Sequence, residues 1–160
     1  MTTQIDQKAE DIICNHAWFS AVPGFMPIFI LDIIGITAIQ VDMVKQLAAH
    51  YDKPYDQQKG KAIVTALTSS ILARIPGYSV RAAFKAIPVV GWILGGLSLS
   101  VFAAASTYAV GQVFKEHLAQ GGTLNNLDPE SFKKFYAQQF EKGKQFFQNK
   151  SQEESSDEEE

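Results

Sequence analysis

The chain has little of what most catalytic and metal centres are built from. Its single cysteine, Cys14, rules out any disulfide within its 160 residues and fits a reducing compartment. His16 stands beside it in Cys14-Asn15-His16, but His50 and His117 are remote in sequence. Structural zinc wants four ligands, so no metal site is expected. No Ser/His/Asp or Cys/His/Asp grouping stands out. The GKA at Gly60–Ala62 invites a phosphate-loop reading. That motif needs a glycine at Tyr55, a Ser or Thr at Ala62 and a preceding strand, and it fails on all three. We therefore expect no catalytic residue, no cofactor and no identifiable small-molecule substrate. Strand signals and internal repeats are absent. The opening MTTQIDQKAEDII lacks the basic head and apolar core of a secretory signal. A pI near 5.6 and the lack of aromatics interleaved with the basic residues argue against nucleic acid.

Charge is missing from one long stretch. Between Lys85 and Lys115, the run AIPVVGWILGGLSLSVFAAASTYAVGQVF (Ala86–Phe114) holds none. A helix from Val89 onward would be about 40 Å long, enough to cross a bilayer's hydrocarbon with some tilt. Trp92, Ile93, Leu97, Leu99, Val101 and Phe102 are its expected membrane contacts. Small residues recur along it: Gly91, Gly95, Gly96, Ser100, Ala104 and Gly111. Such a seam lets another backbone approach closely. The competing reading is a core helix of a soluble bundle, apolar all round because it is covered all round. A mean hydropathy of -0.04 and 46% hydrophobic residues are those of a chain that can bury a real core.

Charge elsewhere is uneven. From Met43 to Lys85 seven cations face only Asp52 and Asp56, whereas the last ten residues, SQEESSDEEE, hold six acids and no base. Arg74, Arg81 and Lys85 flank the apolar run and suit anionic headgroups. Residues 149–160 read as a disordered acidic tail.

The rest reads as helix. Residues 1–20 form an N-terminal amphipathic helix, and 21–148 a helical domain. Pro23, Gly24 and Pro27 break the first helix. Ile28–His50 then carries Phe29, Ile33, Ile36, Ile39, Met43 and Leu47 in register. Asp32 shares that face and is a candidate buried acid in need of a partner, or a cap on the first turn. Asp56 is expected to cap a third helix reaching Arg74, whose small side (Ala62, Ala66, Ser69, Ser70, Ala73) is the expected partner of the small seam. Ile75-Pro76-Gly77 ends it, and Ser79–Ile87 is a short basic amphipathic piece. Gly121-Gly122 stops the long helix. Asp128-Pro129-Glu130 starts the last, which sets Phe132, Phe135, Tyr136, Phe140, Gly143 and Phe146 or Phe147 on one side. The fold class expected is all-α, about six helices around one long apolar, glycine-containing central helix.

The order of these features resembles a known family. Trp18, the Pro23/Pro27 turn, Asp32, TAIQVDMVKQLAAHYD, GKAIVTALTSSIL and IPG are similar to the YcjF-type bacterial domain of unknown function. The later run ASTYAVGQVFKEHLAQGGTLNNLDPESFKKFYAQQFEKGK is closer still. The resemblance covers about Ile13 to Lys144. It implies a helical, membrane-associated protein of unestablished activity, often fused to or encoded beside Era-like or dynamin-like GTPases. It carries over no catalytic residue. In that family a glycine usually follows the tyrosine ending the second helix; here Asp52 does.

Three functional readings follow. The first is a membrane-associated interaction module on the cytoplasmic side of the bacterial inner membrane, touching the inner leaflet. Its protein partner would be a GTPase in trans or a second copy. The second is a soluble, cytoplasmic, oligomeric scaffold. The third and weakest is an apolar-ligand carrier or enzyme reporting through Asp32.

Overall fold

The computed structural model describes residues 2–21, 35–74 and 99–157. They form five helices: α1 (Thr2–Ala21), α2 (Ile36–His50), α3 (Gln57–Leu72), α4 (Leu99–Ala119) and α5 (Pro129–Asp157). Among the described residues there is no strand. The all-α class is as expected. The stretches that hold Asp32, Arg81, Lys85, Gly91, Trp92, Ile93, Gly95, Gly96 and Leu97 lie outside the described residues, so the six-helix count does too.

Helix ends fall where local chemistry puts them. Asp56 is extended, and its carboxylate accepts from the Lys59 backbone N–H at 2.9 Å, capping α3. Asp128 does the same for α5, accepting from Glu130 and Ser131 at 3.2 Å each, with Pro129 in the first helical position. At the end of α4 the Gly122 N–H reaches the His117 carbonyl and the Gly121 N–H reaches that of Leu118. Gly121 has a φ of 89°, so this is a glycine-dependent Schellman stop. The end of α2 repeats the motif, with Lys53 bonded to Ala48 and Asp52 to Ala49. There the left-handed position, φ 52°, is taken by Asp52. Aspartate tolerates that region better than most residues, which accounts for its standing where the resembling family usually has glycine. α5 runs to Asp157, well into the stretch 149–160 that composition alone marks as disordered. Its Gln, Glu and Lys are good helix formers.

The helices alternate in direction. His50 Nε2 meets the Ile5 carbonyl, whereas Gln46 and Asp42 meet His16, so α2 runs back along α1. Glu10 pairs with Lys115 and Ser20 with Thr107, which sets α4 antiparallel to α1. Tyr136 touches Ser106 and Phe140 touches Phe102, which sets α5 antiparallel to α4. One pole of the bundle therefore gathers the last turns of α1 and α3 and the first turns of α2 and α4. The opposite pole holds the turns at 51–56 and 120–128, where Lys59 Nζ donates to Asn125.

α4 packs against all four other helices. From Val101 to Phe114 every residue is buried except Tyr108, which is half-buried. Val101 and Phe102, expected against lipid, face protein instead. Phe102 lies edge-on to Phe140 at 5.5 Å. The small seam also meets a different partner. α3 turns Ala62, Ser69 and Ala73 to solvent and sends Ile63, Val64 and Leu67 inward. It is α1 that closes on the seam. A Cβ built on Gly111 would lie 2.6 Å from Ile13 Cγ1. Ala104 is buried, and Ser100 is half-buried.

That contact gives a first prediction. Gly111→Ala gains about 1 kcal/mol of helix propensity, but overpacking against Ile13 costs about 1–3 kcal/mol. We expect net destabilisation in urea melts, and a Gly111→Ala/Ile13→Ala double variant less destabilised than the sum of the two singles, because Ile13→Ala removes the clashing atoms. Additive effects of the two exchanges would contradict the packing account.

Candidate functional site

The bundle interior holds a connected set of neutral polar groups. Gln40 on α2 is fully buried. Its amide donates to Ser106 Oγ at 3.1 Å and Thr107 Oγ1 at 3.3 Å on α4. Thr68 on α3 donates to Gln40 Oε1 at 3.4 Å. Ser106 and the Tyr136 hydroxyl on α5 are 3.0 Å apart. Ser20 on α1 donates to the His16 carbonyl at 2.8 Å and lies 3.0 Å from Thr107 Oγ1. Every described helix thus supplies a member. In a low-dielectric interior such a satisfied set fixes which helix faces meet. It contains no carboxylate, imidazole or amine, so it has no base to activate a hydroxyl; its chemistry is structural.

Burial pushes the Tyr136 phenol up to about 12, partly offset by its hydrogen bonds. Below pH 10 folded and unfolded chains both keep that proton. Above it the unfolded chain ionises first, so stability falls between about pH 10 and 12, by on the order of 3 kcal/mol from this group. Tyr51, Tyr55 and Tyr108 are also raised, chiefly by burial, and add to the same loss. We expect Tyr136→Phe to cost about 1 kcal/mol at neutral pH and to flatten part of the alkaline limb. Denaturant midpoints across pH 8–11.5 check this.

Other groups tie α1 down. Glu10 accepts from Gln112 at 2.8 and 3.0 Å and from Lys115 at 2.7 Å. His16 donates from Nδ1 to the Ile12 carbonyl at 2.7 Å, and its Nε2 stands 3.3 Å from Asp42. Bonds from His16 and then Gln46 hold the Asp42 carboxyl below its usual range. Cys14 is exposed, but partial burial and then Glu10 and Asp11 raise its thiol, which makes it a poor nucleophile. Among the described residues no three His, Cys, Asp or Glu gather to hold a metal.

The surface is most unusual at the pole where α1 and α3 end. Trp18, Phe19 and Phe146 are exposed there. Trp18 sits edge-on to Phe147 at 5.2 Å and to Phe146 at 6.2 Å. Phe19 also lines an open groove of about 460 Å³ between α1 and α2, with Ala38 and Ile39 on its far wall and His16 and Asp42 on its rim. Arg74, the expected headgroup anchor, is exposed at the same end. The described residues that flank segments 22–34 and 75–98 all lie toward this pole. By sequence the two segments are apolar, with Asp32 the one charge in the first and Arg81 and Lys85 those in the second. Sequence reasoning left open which of Phe146 and Phe147 is buried: it is Phe147. It missed Phe19, because a helical period cannot show which apolar residue loses its neighbour at a helix end.

The family profile described as "Domain of unknown function (DUF697)" matches residues 1–145. The chain belongs to the DUF697 family. The resemblance drawn from its motifs, to the YcjF-type domain of unknown function, is thereby borne out. A relative described as "Magnetosome membrane protein 22", from Magnetospirillum gryphiswaldense, is 36% identical over 140 residues. The alignment covers 87% of this chain and 72% of that one. No solved structure matches. Packing explains much of the run ASTYAVG…GGTLNN in this chain. Ser106 and Thr107 sit in the polar core, Gly111 under Ile13, and Gly121-Gly122 in the helix stop. In the loop, Asn126 Oδ1 accepts from the Thr123 N–H at 2.8 Å and from His117 Nε2 at 3.0 Å.

Proposed function

We propose that this DUF697 protein is a membrane-associated helical interaction module that rests one pole on the bilayer without spanning it. The observation that carries the reading is the pole itself: exposed Trp18, Phe19 and Phe146 stand at the end of the bundle where the described helices flank two stretches that are apolar by sequence. Aromatic rings favour the membrane–water boundary. No described helix is long and apolar enough to cross a membrane. In this reading Trp92, Ile93 and Leu97 supply lipid contact, with Leu99 where they join α4, and Arg81 and Lys85 anchor at headgroups. The glycines Gly91, Gly95 and Gly96 serve close packing there, and Asp32 is a polar group in the shorter segment. The membrane name of the relative supports the reading. The basic middle supports the cytoplasmic face of the inner membrane as the side it rests on, and a GTPase in trans or a second copy is the partner the family resemblance suggests. We assign no reaction and no cofactor.

Fractionation of native cells tests this. Recovery with membranes is expected, whereas recovery wholly in the soluble fraction would refute it. One observation favours the scaffold reading instead: protein covers α4 from Val101 to Phe114. A monodisperse oligomer that needs no detergent and ignores vesicles would select it.

A further inference from the structure

Large apolar side chains exposed among the described residues are Ile5, Trp18, Phe19 and Phe146, and all but Phe146 stand on α1. Ile5, half-buried Ile12 and Phe19 recur every seven residues, two helical turns, so they form one stripe on the side of α1 toward α2. A charge lies on either side of its midpoint. Lys8 is exposed and in no ion pair. Asp42 lies level with His16, 3.3 Å from its Nε2. Its carboxylate is 59% exposed, and among the described residues no lysine or arginine is within ion-pair distance of it. Lys45, one turn along α2, acts on it only from farther off. Beside Asp42 lies the open groove between Phe19, Ala38 and Ile39. Beside Lys8, at the other end of the stripe, Ile5 projects.

A projection and a cation at one end, with a groove and an anion at the other, make this face complementary to itself under a two-fold rotation. With the axis at Ile12 and the two α1 helices antiparallel, Ile5 comes opposite Phe19 of the partner subunit. Lys8 comes opposite the partner's His16, which is the level of the partner's Asp42. Each contact occurs twice. Parallel pairing sets equal levels together instead: Ile5 meets Ile5, groove meets groove, and Lys8 stays eight residues, about 12 Å, from Asp42. Charge therefore selects the antiparallel order, and a second copy carries both halves of the match. We propose that α1 and α2 form the face of an antiparallel, two-fold symmetric dimer. In it Ile5 enters the groove beside Phe19 of the partner subunit, and Lys8 pairs with the partner's Asp42. The proposal does not rest on the membrane reading. It bears on it, because copies so paired turn their poles apart and cover Phe19, so pairing and pole docking compete for that ring.

Sedimentation of the full chain in detergent-free buffer over a range of concentrations tests this. The wild type is expected to dimerise. Lys8→Glu sets like charges at both ionic contacts and should weaken the dimer by about tenfold or more, and Ile5→Glu should abolish it. Both side chains are exposed in the single copy, so melting curves should barely move. Lys8→Glu/Asp42→Lys exchanges the charges and should recover most of the lost affinity. If Asp42→Lys melts early for want of its bonds to His16 and Gln46, Lys8→Gln and Asp42→Asn replace it: each should weaken the dimer, and the two together no more than either alone. Cysteine pairs on a Cys14→Ser chain read the order. Ile5→Cys mixed with Phe19→Cys is expected to form an intersubunit disulfide, and neither chain alone. A wild type that stays monomeric throughout overturns the proposal. So does a dimer that Lys8→Glu and Ile5→Glu leave intact, or a disulfide formed by Ile5→Cys alone. A dimer with these properties that ignores vesicles upholds the pairing and refutes only the membrane reading.

Discussion

Replacing Trp18, Phe19 and Phe146 together by serine is expected to lower binding to phosphatidylcholine vesicles by about a hundredfold. The three rings are 37%, 70% and 52% exposed in the bundle. Burying a large apolar side chain is worth about 1.5–3 kcal/mol. Rings that enter only the boundary region recover part of that, so about 3 kcal/mol for the set is a fair expectation, or roughly two decades in affinity. Trp18 also packs on Phe147, and its loss costs some stability. The pair Phe19→Ser/Phe146→Ser avoids that and should still lose tenfold or more. Flotation with matched melting curves is the check. Unchanged binding by both variants would mean that the pole is not the membrane face.

The second large effect lies in the interior. Gln40→Ala is expected to destabilise the fold by about 3 kcal/mol, lowering the melting temperature by about 10 °C for a domain of this size. Two costs combine. The exchange empties a fully buried side-chain volume at the junction of α2, α3 and α4. It also strands Ser106, Thr107 and Thr68 with fewer partners in a dry interior, which is costlier than the net worth of the bonds. Ser106→Ala alone should cost less, since Gln40 keeps Thr107 and Thr68. The Gln40/Ser106 double variant should be less destabilised than the sum, because both remove the same bond. Strict additivity would show that the polar set is not one connected unit.

Elements that depend on neighbours in sequence were legible there. Asp56 and Asp128 announce helix starts, Gly121 a helix stop, and the spacing of Phe132, Tyr136 and Phe140 the inward face of α5. Each is a local matter of capping or period. Contacts between distant segments were not legible. Gln40, Thr68 and Ser106 each read as an unremarkable polar residue on an amphipathic helix, because what makes them a cluster is the packing of helices far apart in the chain. The small seam of α4 was visible, but its partner was not. Small residues show that something comes close without showing what, and Ile13 carries no mark of being the knob that fills Gly111's place. The charge-free run Ala86–Phe114 was readable as either membrane rod or core. Composition cannot separate the two, since lipid and protein interior are equally apolar. The structure assigns its later part, from Val101, to the core. The membrane reading thereby moves from that rod to the pole it enters.

The most direct test of that reading is the depth of Trp18. The chain has two tryptophans, so Trp92→Phe leaves Trp18 as the sole emitter. Lipids brominated high on the acyl chain should then quench its fluorescence more than lipids brominated near the chain end, with a blue-shifted emission on vesicle binding. Emission unchanged from buffer, with no quenching by either lipid while the protein floats with the vesicles, would contradict the account.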